Sequence, residues 1–182
     1  MLENKAIRIE NLNRSLKPPE KLGGKFVPEE FEKQFDFMLV AEMPSMREPK
    51  DSKDLHTNYN FNGDKGLHKA MIECNVGGSY VTDIVKERRK PGRPVEEQII
   101  KWLPFPLEEI KIINPKFIVV LGKGNYDINF QPFIISKLPK TVKVDWVFHY
   151  STRSRRQKLM FEQRFREVIN ELRNSDRQVL GG

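Results

Sequence analysis

The sequence predicts an α/β fold, a three-layer α/β/α sandwich around a central four-stranded, mainly parallel sheet. Three observations predict it. Four short apolar runs recur along the chain, each of the length and character of a strand buried on both faces. Helical patterns separate them, and strands alternating with helices imply right-handed crossovers that place helices on both sides of the sheet. The length, 182 residues, suits one domain with one core.

In chain order, residues 1–27 are polar and carry Pro18-Pro19 and Gly23-Gly24, which predicts an N-terminal arm or loosely packed lead-in. Pro28-Glu29-Glu30-Phe31 is expected to open a short helix, because proline is tolerated in a first turn. The strands are predicted at Phe37–Ala41, Tyr80–Val85, Phe117–Leu121 and Val144–Phe148. Between the first two, Leu67, Ala70, Met71 and Cys74 share one helix face. Val95, Ile99 and Trp102 mark a second helix, interrupted at Pro104-Phe105-Pro106. Leu107, Ile110 and Ile113 carry a shorter piece that ends at Asn114-Pro115. The last helix is the clearest. Ser154 and Gln157 have capping-box spacing, and Phe161, Phe165, Val168, Ile169 and Leu172 form one stripe. The expected domain therefore spans 28–175, with 176–182 a frayed tail.

Composition narrows the function classes. The formal net charge is +7, which favours polyanionic partners because Lys and Arg displace counterions from phosphates. A lysine-rich soluble protein with no such partner fits the charge equally well. With one cysteine, Cys74, the chain alone can build no disulfide framework, zinc cluster or iron–sulfur cluster. His56, His68 and His149 show no metal-ligand spacing, so neither metal nor cofactor is expected. No long apolar run or secretory leader is visible, and a cytoplasmic monomer is the expectation, nucleoid-associated if the source is prokaryotic. The short Gly122-Lys123-Gly124 is no phosphate-loop fingerprint, which counts against an unrelated nucleotide-binding enzyme.

Ligand sites of such sheets lie outside the carboxyl ends of the strands. The residues there are Ala41-Glu42-Met43-Pro44-Ser45, then Thr82-Asp83 with the basic stretch after it, then Leu121-Gly122, then His149-Tyr150-Ser151; the loop Phe61-Asn62-Gly63 lies between the first two strands. In order and spacing these resemble the motifs of the uracil-DNA glycosylase superfamily, nearest its branch with a Gly-Glu-Ala-Pro-Gly first motif, from about Phe37 to Phe165. The resemblance implies a DNA glycosylase acting on a flipped damaged or deaminated base, with single- or double-stranded DNA as partner. It implies Glu42 and Met43 lining the pocket, Phe61 stacking on the base, Asp83 reading its edge and His149 donating to it. The departures are a missing four-cysteine cluster, Met43 where some branches orient water with Asp or Asn, Asp83 in place of the base-reading Asn, and Tyr150 in place of proline. A binding module of the same fold, without efficient cleavage, is the alternative that Met43 keeps open.

Residue chemistry sharpens two of these roles. Breaking the base–sugar bond develops positive charge on the sugar and negative charge on the base, which calls for a carboxylate near the first and a donor near the second. Glu42 and His149 are the expected pair. An ionised Asp83 can only accept hydrogen bonds, so it repels the 4-keto oxygen of uracil and attracts an exocyclic amino group, whereas a protonated Asp83, favoured by burial, mimics asparagine. Lys86, Arg88, Arg89, Lys90 and Arg93 after the second strand, and Arg153, Arg155, Arg156 and Lys158 after the fourth, are expected to grip phosphates beside the flipped nucleotide.

Overall fold

A computed structural model describes residues 2–16, 23–28, 30–44, 62–87, 92–151 and 154–180. The elements run α1 (Leu2–Arg14), β1 (Lys25–Val27), β2 (Gln34–Ala41), α2 (Asn62–Glu73), β3 (Ser79–Asp83), α3 (Glu96–Trp102), α4 (Pro104–Ile113), β4 (Phe117–Leu121), α5 (Lys123–Asn125), a π-helical turn (Tyr126–Phe130), α6 (Gln131–Phe133), β5 (Lys143–Val147) and α7 (Arg155–Leu180). The sheet has five strands in the order β1-β3-β2-β4-β5. Four are parallel, and β1 pairs antiparallel with β3.

Strand alternation sorts the side chains onto two faces. Phe37, Leu39, Ala41, Val81, Val119 and Leu121 pack beneath α2 and α7, whose predicted stripes are all buried there. Met38, Val40, Tyr80, Ile118 and Val120 pack on the other face with Ile9 of α1, Ile99 and Trp102 of α3, and Ile110 and Ile113 of α4. The result is the expected three-layer sandwich. Asn114 ends α4 in the left-handed region, at φ 50°, where asparagine is tolerated.

The remaining differences from expectation have local causes. The sheet gains a fifth strand because Lys25–Val27, only three residues long, completes the edge beside β3. The segment 1–27, expected as an arm or loosely packed lead-in, contains α1, which buries Ala6 and Ile9 and is tied down by Lys5 Nζ donating to the Ile113 carbonyl at 2.8 Å; Leu16, just past the helix, is buried too. Pro28 is followed by a turn rather than a helix, with Phe31 N–H bonded to the Pro28 carbonyl. Val95 caps α3 from solvent, 49% exposed, instead of joining its buried face. α7 continues past 175 to Leu180.

Candidate active site

The parallel strands β3-β2-β4-β5 all end on one rim, and the chain reverses its direction of progress across the sheet between β2 and β4. That crevice is where open α/β sheets hold ligands. Glu42 leaves β2 on one side of it, and Gly122 leaves β4 on the other. Just past the strands, Ile84 N–H bonds to the Ala41 carbonyl at 3.0 Å and Val85 N–H to the Glu42 carbonyl at 3.1 Å. These bonds zip the exits of β2 and β3 together, so Asp83 lies within electrostatic reach of Glu42.

Gly122 is the pivot of the other side. Its N–H bonds to the Val147 carbonyl at 2.8 Å, and its φ of 102° suits glycine. The missing side chain leaves its α-carbon open to His149: a Cβ there would stand 3.6 Å from the imidazole Cδ2. The exposed His149 ring stacks on buried Tyr150, with centroids 5.0 Å apart and planes 13° from parallel, and Tyr150 in turn packs on Phe161 of α7. Tyr150, the departure from the expected proline, is thus a floor for the imidazole. The Ser151 N–H donates to His149 Nδ1 at 3.1 Å. With Nδ1 accepting, the neutral ring carries its proton on Nε2.

Glu42 is half-buried and held from the π-helical turn. Asn129 Nδ2 donates to its Oε1 at 2.8 Å and to Asn125 Oδ1 at 3.2 Å, and Asn125 Nδ2 donates to the Val40 carbonyl at 3.3 Å. Burial raises the Glu42 carboxyl above the ordinary glutamate value. The Asn129 hydrogen bond and the Arg93 guanidinium pull it down, and the Asp83 charge adds to the rise. Exposed Arg93 reaches the same place by lying across Gly124, where any Cβ would collide with its guanidinium.

Of the residues singled out from sequence, the structure places Glu42 and Asp83 on the β2–β3 side of the rim, His149 at Gly122, and Arg93 across Gly124 within electrostatic reach of Glu42. Asp83 is wholly buried. Met43 packs against the apolar layer shared with α3 and α4. Arg155 and Arg156 are exposed at the start of α7, and Lys158 is half-buried there. Phe61, Arg88, Arg89, Lys90 and Arg153 lie outside the described residues.

Lys86 is a correction. Expected on the phosphate-facing surface, it is 0% exposed and forms an ion pair with Glu109 of α4 at 2.7 Å, with a further hydrogen bond to Thr82 Oγ1. Tyr80 Oη donates to Glu109 Oε1 at 2.8 Å, Thr82 Oγ1 lies 2.9 Å from Oε2, and the Gly24 N–H donates to Oε1 at 3.2 Å. A Cβ on Gly24 would strike Tyr80 and Thr82, so glycine is what lets β1's approach deliver that N–H. The cation completes a buried network behind β3, because a lone buried carboxylate would be far costlier than a paired one.

Asn125 and Asn129 were missing from the sequence-based set. Their i, i+4 spacing directly after the Gly122 turn was the available signal. Among the described residues no group of three or more His, Cys, Asp or Glu is placed to hold a metal ion, and no helix is long and apolar enough to cross a membrane.

Comparison with curated proteins returns no match. The family model of the Uracil DNA glycosylase superfamily matches residues 28–173, a span that contains all four parallel strands and every rim residue described above. The chain belongs to the uracil-DNA glycosylase superfamily.

Proposed function

We propose that the chain is a DNA glycosylase that hydrolyses the N-glycosidic bond of a damaged or deaminated base flipped out of DNA. The observation that supports this most directly is the His149 arrangement. Its imidazole lies against Gly122 at the switch-point rim, with Nδ1 accepting from the Ser151 N–H, which places the neutral ring's proton on Nε2. A donor so fixed suits the keto oxygen of a departing pyrimidine, where negative charge develops. The C–N electron pair leaves on the base, water adds to the sugar carbon, and the proton water loses passes to the base or solvent. Glu42, in its ionised form, balances the positive charge on the sugar. Arg93, Arg155 and Arg156, all exposed, would hold phosphates beside the flipped nucleotide, with Phe61 stacking on the base.

Asp83 carries the base preference in this reading. A carboxylate at this position can only accept hydrogen bonds, which favours an amino-bearing base over uracil. Excision of uracil, cytosine and hypoxanthine by wild type and Asp83→Asn tests this; an Asn variant with no gain on uracil removes Asp83 from base reading.

The direct test of the function uses labelled oligonucleotides carrying different modified bases, single- and double-stranded, followed by alkali cleavage of abasic sites. His149→Ala is expected to lose excision by about a hundredfold or more, the usual loss for one transition-state donor. Excision that survives the substitution undiminished refutes the role of His149. Met43 favours a second reading, since an apolar side chain packed in the core stands just before Pro44 where a water-orienting group would sit. Tight DNA binding with no abasic product on any base selects that reading, a nucleic-acid-binding module.

A further inference from the structure

We propose that Asn129, carried by the π-helical turn, is a positioning residue that fixes the Glu42 side chain at the rim and supplies the hydrogen bond its charged form needs. The importance of that carboxylate for catalysis rests on the glycosylase reading above; the link between Asn129 and Glu42 does not.

The amide has only one consistent orientation. Its nitrogen faces two oxygen acceptors, Glu42 Oε1 at 2.8 Å and Asn125 Oδ1 at 3.2 Å, so both N–H bonds are spent and a flipped amide would set oxygen against oxygen. Asn125 in turn donates to the Val40 carbonyl, two residues before Glu42 on β2. A closed loop of hydrogen bonds therefore runs from the β2 backbone through both amides and back to the side chain that β2 presents.

Two features mark this as more than core filling. Asn129 is 0% exposed, and its Oδ1 has no hydrogen-bond partner among the described residues. A leucine fills similar volume without burying an unmatched carbonyl, so packing alone gives no reason for an amide here. The backbone is also unusual. The Gln131 N–H bonds to the Tyr126 carbonyl, five residues back, the signature of a π turn, a geometry that recurs at functional sites. The charged groups that face Glu42 among the described residues are Arg93, from the segment before α3, and Asp83, at the end of β3. One favours the carboxylate and the other opposes it. Asn129 is the neutral donor that favours the charged form against the burial that raises the carboxyl.

The test follows the Glu42 carboxyl carbon by NMR across pH in the full chain, for wild type, Asn129→Leu and the isosteric Asn129→Asp. Loss of the donor is expected to move Glu42 titration to higher pH in the leucine variant. In the aspartate variant a second carboxyl beside the first should produce two coupled steps. If leucine prevents folding, the aspartate variant carries the test alone. An unmoved Glu42 midpoint in a folded variant overturns the proposal. Excision, where present, should fall about tenfold on the acid side of the pH profile, the effect of one charge-assisted hydrogen bond, and much less on the alkaline plateau. A uniform loss across pH overturns the positioning role. A shifted Glu42 titration in a protein that excises no base supports the Asn129–Glu42 link and defeats the glycosylase reading. An unmoved midpoint in a protein that does excise bases does the reverse.

Discussion

Replacing Lys86 with methionine separates a structural cation from those proposed to face DNA. The substitution keeps most of the side-chain volume and removes the ammonium. In the folded protein that group sits 2.7 Å from Glu109 Oε2 with both side chains 0% exposed. Glu109 would retain three donors, from Tyr80, Thr82 and Gly24. None of them carries a charge, so the carboxylate would be left buried without a counterion. Breaking a buried pair from one side costs about 3–5 kcal/mol. For a chain of this size a urea slope of roughly 2 kcal/mol per molar turns that into a midpoint lowered by about 2 M. Buried Trp102 supplies the fluorescence signal. Under conditions where the variant is folded, its DNA affinity should keep the wild-type dependence on salt, whereas Arg93→Ala should lower the slope of log affinity against log salt by about one. A Lys86→Met protein that melts within about 1 kcal/mol of wild type but loses one unit of salt slope would refute the assignment, since only a lysine that reaches phosphate behaves so.

Glu42 should leave a pH signature of its own. A carboxyl raised by burial makes folding most favourable below the ordinary glutamate value, and that advantage is lost as pH rises through the raised value. Glu42→Gln should therefore gain stability relative to wild type as pH rises from the ordinary glutamate value through the raised one, and should lose the acid limb of any excision profile; parallel stability curves count against the burial effect. Ile9→Ala should cost about 2–5 kcal/mol, the usual range for a buried isoleucine. A cost near zero in urea melts would mean that α1 is the loose arm its composition suggests.

How far the sequence was readable depended on how much of each signal was local. The parallel strands were visible because Phe37–Ala41 and Phe117–Leu121 are nearly continuous apolar runs, as strands covered on both faces must be. The stripe on α7 was visible for the corresponding helical reason. β1 was hidden by its three-residue length and by the Pro and Gly around it. α1 was hidden by charge: Ala6 and Ile9 are buried three positions apart, but the Arg, Glu and Asn residues around them mask the spacing. Lys86 misled for a sharper reason. It adjoins Arg88, Arg89 and Lys90, so it reads as the first member of a solvated basic run. Its partner lies on α4, and nothing local to either residue announces a pair separated by 23 positions.

That buried pair also bears on the rim. Because side chains alternate along a strand, Thr82 turned onto Glu109 forces its neighbour Asp83 to the opposite face of β3. The network on the α4 side thereby fixes which face the last strand residue presents, while the backbone bonds from Ile84 and Val85 to Ala41 and Glu42 fix how far it stands from β2. A slip of one residue in β3 would place the aspartate against Glu109, carboxylate beside buried carboxylate, and the threonine at the rim. Tyr80 lies on the same strand and would turn away with Thr82 in that slipped state, so Glu109 would lose two of its donors as it met a second carboxylate. The charged core of this protein and the carboxylates of its rim are therefore one problem of register. Positions 42, 83 and 109, far apart in the chain, acquire their roles together when β3 docks between β1 and β2.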